Sequence, residues 1–201
     1  MLRILIVTLF FFFTVSPRFQ SNAAGTVLNA ASLGGEPAAS TQIAPGSIAT
    51  FRGSALALRT EAATVTDGSP PFTVAGTTVT VNGVPAGVFS VSPEEVRFVV
   101  PDDLAVGAAE VTIRNSAGVE SKAGVMITTA APGVFTLGGD GRGEGIILDA
   151  GTLTRAPFDP SDGARRLSIF VTGVRHAQNV SVLIKGNKIT VEAVEPANLA
   201  G

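Results

Sequence analysis

The sequence predicts an all-β protein of two β-sandwich units in tandem, the second of them incomplete. Three observations predict it. Apolar and polar residues alternate with period 2 in short runs cut by turn residues. No stretch carries the 3.6-residue period of an amphipathic helix. A set of strand and turn words recurs at a constant offset later in the chain.

The 201 residues are enough for one or two small domains. Hydrophobic residues make up 45%, which supports a packed core. Charged residues make up 15%, low against a usual share of roughly 25%, so the surface relies on Thr, Ser, Asn and Gly. The absence of Cys excludes a disulfide framework, thiolate metal sites, a thiol nucleophile and a lipid anchor on an N-terminal Cys. Such a chain must be held by core burial alone.

The chain opens as a secretory leader, residues 1–23. Met1-Leu2-Arg3 supplies positive charge, and Ile4 to Val15 is apolar except at Thr8 and Thr14. Pro17 and Arg18 end the run, and Ser21-Asn22-Ala23 offers small residues for cleavage near Ala23. The run is short for a bilayer span of roughly 20 residues. The rival reading is an uncleaved anchor. The leader predicts a protein that is secreted or held at the cell surface or periplasm, with no membrane contact after cleavage. Loss of Arg3 and Arg18 leaves 12 basic against 16 acidic residues. That balance lacks the electrostatic footprint of a nucleic-acid binder.

Residues 24–43 are small and polar, and they read as an extended lead-in. The first sandwich is expected over 44–130. Ser47 to Phe51 is its first strand, ending at Gly53. Residues 60–76 are poor in pattern, with a turn-rich insertion from Thr64 to Pro71. Thr78-Val79-Thr80-Val81 alternates cleanly, with the valines inward. Asn82-Gly83 then signals a type I′ hairpin, because both central residues of that turn need positive φ. Val84 to Val91 reads as one return strand. Glu95 to Val100 follows, with Val96, Phe98 and Val100 inward, and Pro101 closes it. Glu110 to Arg114 and Val125 to Thr129 complete the unit, with Asn115-Ser116-Ala117-Gly118 turning between them. About seven short strands at this spacing make an immunoglobulin-like sandwich.

Residues 131–164 read as a Gly/Pro-rich linker. Within it, Ile146-Ile147-Leu148 and Thr152-Leu153-Thr154 flank Asp149-Ala150-Gly151 as a small hairpin. Residues 165–201 read as a partial second unit. Leu167 to Gly173 resembles Gly46 to Gly53, and Ser181 to Gly186 resembles Thr78 to Gly83. Val194-Glu195-Pro196 resembles Val91-Ser92-Pro93. The last two words share an offset of 103 residues. The first unit continues past Pro93 through further strands, and the second stops at Gly201, so the chain is expected to be cut short at its C-terminus.

Several words together resemble a known family. They are Ile43-Ala44-Pro45-Gly46-Ser47-Ile48, Val79 to Ala86, Val91-Ser92-Pro93, Ala130 to Thr136 and Thr172-Gly173. The chain is similar to an extracellular domain family of unknown function at the C-terminal ends of large secreted acidobacterial (Solibacter-type) proteins. The resemblance spans residues 27–201. It implies tandem immunoglobulin-like folds of the IPT/TIG type and carries no catalytic residues. There are two departures. The family's second unit runs on through a further β-rich stretch, and Arg175-His176 stands where the family has a Gly-rich continuation.

Catalytic chemistry finds little support. His176 is the one histidine, and no Gly-x-Ser-x-Gly elbow accompanies it, so it reads as a solvated loop residue. One His and no Cys do not make a zinc site. Asp140, Glu144 and Asp149 could bind Ca²⁺ through oxygens, but their spacing lacks the Asp-x-Asp-x-Asp-Gly pattern. The glycines of 138–145 serve turns rather than a phosphate cradle, since no Lys-Ser/Thr follows. Glu94-Glu95 and Asp102-Asp103 are adjacent in sequence, point to opposite faces of a strand and read as solvated rim charges. No catalytic residue, cofactor or metal is assigned. Sugar stacking normally uses Trp or Tyr, and the chain has neither. Of the phenylalanines beyond the leader, Phe72 and Phe158 lie beside prolines in loops and are the two candidates for a contact role. The expected function is a non-catalytic structural or interaction module (adhesion or spacer) of a bacterial extracellular protein. Its partner is a protein or a polysaccharide surface. The alternative is an accessory carbohydrate-binding module.

Overall fold

A computed structural model describes residues 23–33, 41–65, 68–159 and 165–196. The predicted leader up to Asn22 and the residues after Pro196 lie outside the described residues. The described residues are all β, as the alternation predicts, and contain no helix.

The chain enters as β1 (Ala23–Ala24), passes Gly25 and continues as β2 (Thr26–Asn29). Gly25 marks a change of sheet, since a Cβ there would overlap the Phe51 ring. After the segment 34–40, outside the described residues, come β3 (Gln42–Ile43) and β4 (Ile48–Arg52). β2 pairs antiparallel with β4 through Val27↔Phe51 and Asn29↔Ala49. Residues 24–29 and 42–43 are therefore not a lead-in but supply strands to the two sheets. The period-2 signal is weak there because a buried Asn29 occupies an inward position beside Val27.

The pattern-poor stretch 60–76 contributes an edge strand at each end: β5 (Glu61–Ala62) and β6 (Thr73–Val74). β7 (Thr77–Val81) and β8 (Val84–Ala86) form the predicted hairpin, with φ of 49° at Asn82 and 81° at Gly83. The expected single strand from Val84 to Val91 is divided at Gly87. β8 stays with β7, while β9 (Val88–Val91) joins β10 (Glu95–Val99) in the other sheet. A Cβ on Gly87 would lie 2.8 Å from Pro70 Cγ, so the crossing needs a residue without one.

β11 (Gly107–Arg114) and β12 (Glu120–Ile127) form a long hairpin. Asn115 closes its turn: Oδ1 accepts from the Ala117 and Val119 N–H groups, and Nδ2 donates to the Ala55 carbonyl at 2.8 Å. One sheet runs β1-β12-β11-β7-β6, with β3 beside β12 and β8 beside β7; the other runs β2-β4-β10-β9-β5. Their facing sides enclose the core. Phe51, Phe98, Val79, Val81, Val96 and Val111 are all 0–1% exposed. Burying each such side chain contributes about 1.5–3 kcal/mol.

Residues 131–159 hold strands as well as turns. β13 (Gly133–Val134) pairs with β16 (Val171–Thr172), and β14 (Ile147–Asp149) pairs with β15 (Leu167–Ile169). The expected hairpin of 146–148 with 152–154 is thus corrected. The ladder partner of β14 is 18 to 22 residues away, and the return after Asp149 forms a tight turn, with Asp149 N–H donating to the Thr154 carbonyl, Leu153 N–H donating to the Asp149 carbonyl and a Leu148↔Arg155 bridge. Leu153 stands in that turn at φ 56°. β17 (Val182–Ile184) and β18 (Asn187–Ile189) close the described fold. Their turn, Lys185 at φ 50° and Gly186 at φ 84°, copies that of Asn82-Gly83. Val182↔Ile189 and Ile184↔Asn187 copy Val79↔Ala86 and Val81↔Val84 at the same offset of 103. The repeat read in the sequence is a repeat of hairpin register.

Candidate interaction site

Phe72 stands 63% exposed just before β6, beside Pro70 and Pro71. Phe158 is half-buried in the Pro157–Asp159 segment, part of a link whose residues 160–164 lie outside the described residues. The two belong to different units, so the structure gives no single platform built from both.

His176 is not merely solvated. Its Nε2 lies 3.4 Å from Asp102 Oδ1, and Arg175 Nη1 lies 3.3 Å from Asp102 Oδ2. Asp102 follows β10 of the first unit, so the cluster spans the junction. Its side chains are 44–59% exposed, and such a pair is worth little in water. Glu95 is likewise more than a rim charge. One oxygen pairs with Arg52 on the neighbouring strand β4 (3.2 Å) and the other with Arg97 on its own strand β10 (2.8 Å).

Asp149 shows how a candidate calcium ligand is used within the fold. Its Oδ1 accepts from the Gly151 and Thr152 N–H groups at 2.9 Å, and its Oδ2 meets Arg165 Nη1 at 2.9 Å. The backbone donors, Thr152 foremost and then Gly151, hold its carboxyl below the ordinary carboxylate range, and Arg165 adds to this. Asp140 accepts from the Arg142 N–H in the same way. Among the described residues no three His, Asp or Glu side chains gather into a metal cluster.

The buried polar groups at the junction are what sequence reasoning missed. Asn29, at 1% exposure, donates from Nδ2 to the Ala131 carbonyl at 2.7 Å and accepts from the Ala31 N–H at 2.9 Å. Thr172 Oγ1 accepts from the Ile48 N–H at 2.8 Å, and Ala131 N–H donates to the Gly173 carbonyl at 2.9 Å. Gly173, at φ 75°, sits so close that a Cβ would overlap the Ala131 carbonyl. Only the Thr172-Gly173 word hinted at this contact, as part of the family resemblance.

Among the described residues, the β17–β18 hairpin carries exposed apolar side chains. Ile184, Ile189 and Val194 are 47%, 42% and 51% exposed. Beside them lies a cleft lined by Gln178, Asn179, Val180, Val191 and Glu192. Among the described residues β17 pairs with β18 alone.

No family model matches the chain, and no curated protein does. Eight chains of solved structures match it. One is a γ-CGTase from alkalophilic Bacillus clarkii, 19% identical, covering 56% of this chain and 13% of that one, at a TM-score of 0.35. Two are auxiliary nutrient binding proteins. That of Bacteroides thetaiotaomicron is 16% identical, covering 51% of this chain and 19% of its own, at a TM-score of 0.30. That of Bacteroides ovatus is 16% identical, covering 60% and 24%, at a TM-score of 0.32. The chain thus spans a quarter or less of each. Likenesses of this extent fix neither fold family nor function.

Proposed function

We propose that the chain is an exported, non-catalytic structural or interaction module of an extracellular bacterial protein, of immunoglobulin-like, IPT/TIG type. Its relation to the Solibacter-type family belongs to the same proposal. The observation that supports it is the junction. Asn29 donating to the Ala131 carbonyl and Thr172 accepting from the Ile48 N–H hold two β units in one arrangement, as a spacer or adhesion module requires. Glu95, Asp102, Glu110 and Asp149 are each engaged with a basic partner. Polar groups here hold geometry. The partner is a protein or a polysaccharide surface. Expression of the chain with its leader in a secreting bacterium tests the reading. The expected product lies outside the cytoplasm, with an N-terminus at or next to Ala24 by mass spectrometry. Intact protein confined to the cytoplasm overturns it.

One observation favours the second reading, an accessory carbohydrate-binding module: the exposure of Phe72. An aromatic face open to solvent can stack on a sugar ring. Retention on insoluble polysaccharide that Phe72→Ala reduces at least tenfold supports this reading; equal retention of both proteins removes it.

A further inference from the structure

Asn82-Gly83 is the single Asn-Gly pair of the chain. Both residues are exposed at the tip of the β7–β8 hairpin, at φ 49° and 81°. A Cβ on Gly83 would have no neighbour within 4 Å, so the space around its backbone is open. The Asn82 side chain is held from one side. Its Oδ1 accepts from the Glu110 N–H, and Asn82 N–H donates to the Glu110 carbonyl, both at 2.8 Å. The first bond places a donor on the oxygen that gathers negative charge when a nucleophile adds to Cγ.

The nucleophile nearest in the chain is the next backbone nitrogen. Glycine crowds that attack least, because it has no side chain and the widest freedom in φ and ψ. The other asparagines among the described residues lack the combination. Asn29 and Asn115 are buried and donate from Nδ2 to backbone carbonyls. Asn179 and Asn187 are exposed but precede Val180 and Lys188. The matching turn of the second unit has Lys185 where the first has Asn82.

We propose that Asn82 is a site of spontaneous covalent modification, deamidation through a cyclic imide. The Gly83 nitrogen gives its proton to water and bonds to Asn82 Cγ. The Cγ–Nδ2 bond breaks, and the nitrogen leaves as ammonia. Water then opens the ring at either carbonyl, so the balance is one water in and one ammonia out. One opening gives aspartate, which still accepts from the Glu110 N–H. The other gives isoaspartate, whose main chain runs through Cβ and Cγ. That adds a backbone atom to a two-residue turn, and the Val81↔Val84 register does not accommodate it. Both products add a negative charge, and the second loosens this end of the first sandwich from β11. The inference goes beyond the interaction-module reading and does not rest on it.

The test holds the full chain at mildly alkaline pH and maps its peptides by mass spectrometry at intervals. Conversion at Asn82 is expected to run at least tenfold faster than at any other asparagine and to yield both products. Gly83→Ala, which meets open space, is expected to slow it at least tenfold with the fold retained by circular dichroism. The separated isoaspartate form is expected to exchange the Glu110 amide at least tenfold faster than the aspartate form. An Asn82 that stays intact in the folded chain while it converts in urea overturns the proposal, because the Glu110 contacts then shield it. So do equal rates in the wild type and Gly83→Ala. Aspartate formed without isoaspartate also overturns it, since direct hydrolysis of the amide then replaces the ring.

Discussion

Asn29→Ala removes the side chain that bonds the first unit to Ala131. Two buried backbone groups lose their partners: the Ala131 carbonyl and the Ala31 N–H. Both residues are buried, so water does not readily replace the amide. Each of the two orphaned groups costs about 1–3 kcal/mol, which puts the substitution at about 2–6 kcal/mol. With about 2–4 °C per kcal/mol for a chain of this size, the midpoint of thermal unfolding falls by roughly 4–24 °C. The chain has no Trp or Tyr, so far-UV circular dichroism in urea is the assay. The midpoint is expected to fall with an unchanged slope, because the surface exposed on unfolding is the same. Amide exchange is expected to rise at Ala131 and Gly173. Asn29→Asp sharpens the test. It keeps an acceptor for Ala31 but turns a carboxylate towards the Ala131 carbonyl, so it is at least as damaging at neutral pH and is partly relieved on protonation. A loss below about 0.5 kcal/mol for Asn29→Ala, or Asp tolerated as well as Asn at neutral pH, would refute the reasoning.

Gly83→Ala meets open space and carries only the cost of a left-handed residue, about 1 kcal/mol, whereas Gly173→Ala must also displace the Ala131 carbonyl and is expected to cost well over that; equal urea midpoints for the two contradict the junction geometry. Thr50 and Thr77 bury hydroxyls that have no hydrogen-bond partner, so Thr50→Val and Thr77→Val are expected to be neutral or stabilising by up to about 1 kcal/mol, and a clear loss in the same titration reveals a partner. The Asp149 carboxyl is held below its ordinary range, so its contribution to the 149–154 turn is present above the unfolded value near pH 4 and is lost as pH falls through the lower folded value. Amide exchange of Gly151 and Thr152, corrected for intrinsic rates, is expected to rise on acidification in the wild type and to show no such step in Asp149→Asn.

The first sandwich was largely legible because its strands carry local signals. Val79, Val81, Val96, Phe98, Val111 and Ile113 all face inward as the alternation predicts. Asn82-Gly83 turns where two positive-φ residues adjoin. The lead-in was misread because β2 has only four residues and one inward position holds Asn. The linker was misread because β13 and β14 find their partners beyond residue 164. Of the contact candidates, Phe72 is exposed and Phe158 half-buried, while of the junction residues Asn29 carried no motif and Thr172 only the Thr172-Gly173 word.

By itself the sequence determined the β class, the hairpin turns and the 103-residue repeat, since alternation and positive-φ turns are properties of neighbouring residues. Only the tertiary structure decided which sheet each strand joins. Gly25 and Gly87 send adjacent strands to opposite sheets, and nothing in a period of 2 encodes that crossing. It also decided which residues of the second unit are uncovered among the described residues. Val81 and Ile184 occupy the same register, and they differ because β11 packs against one and not the other. Burial depends on what arrives from elsewhere in the chain, and local pattern does not contain it.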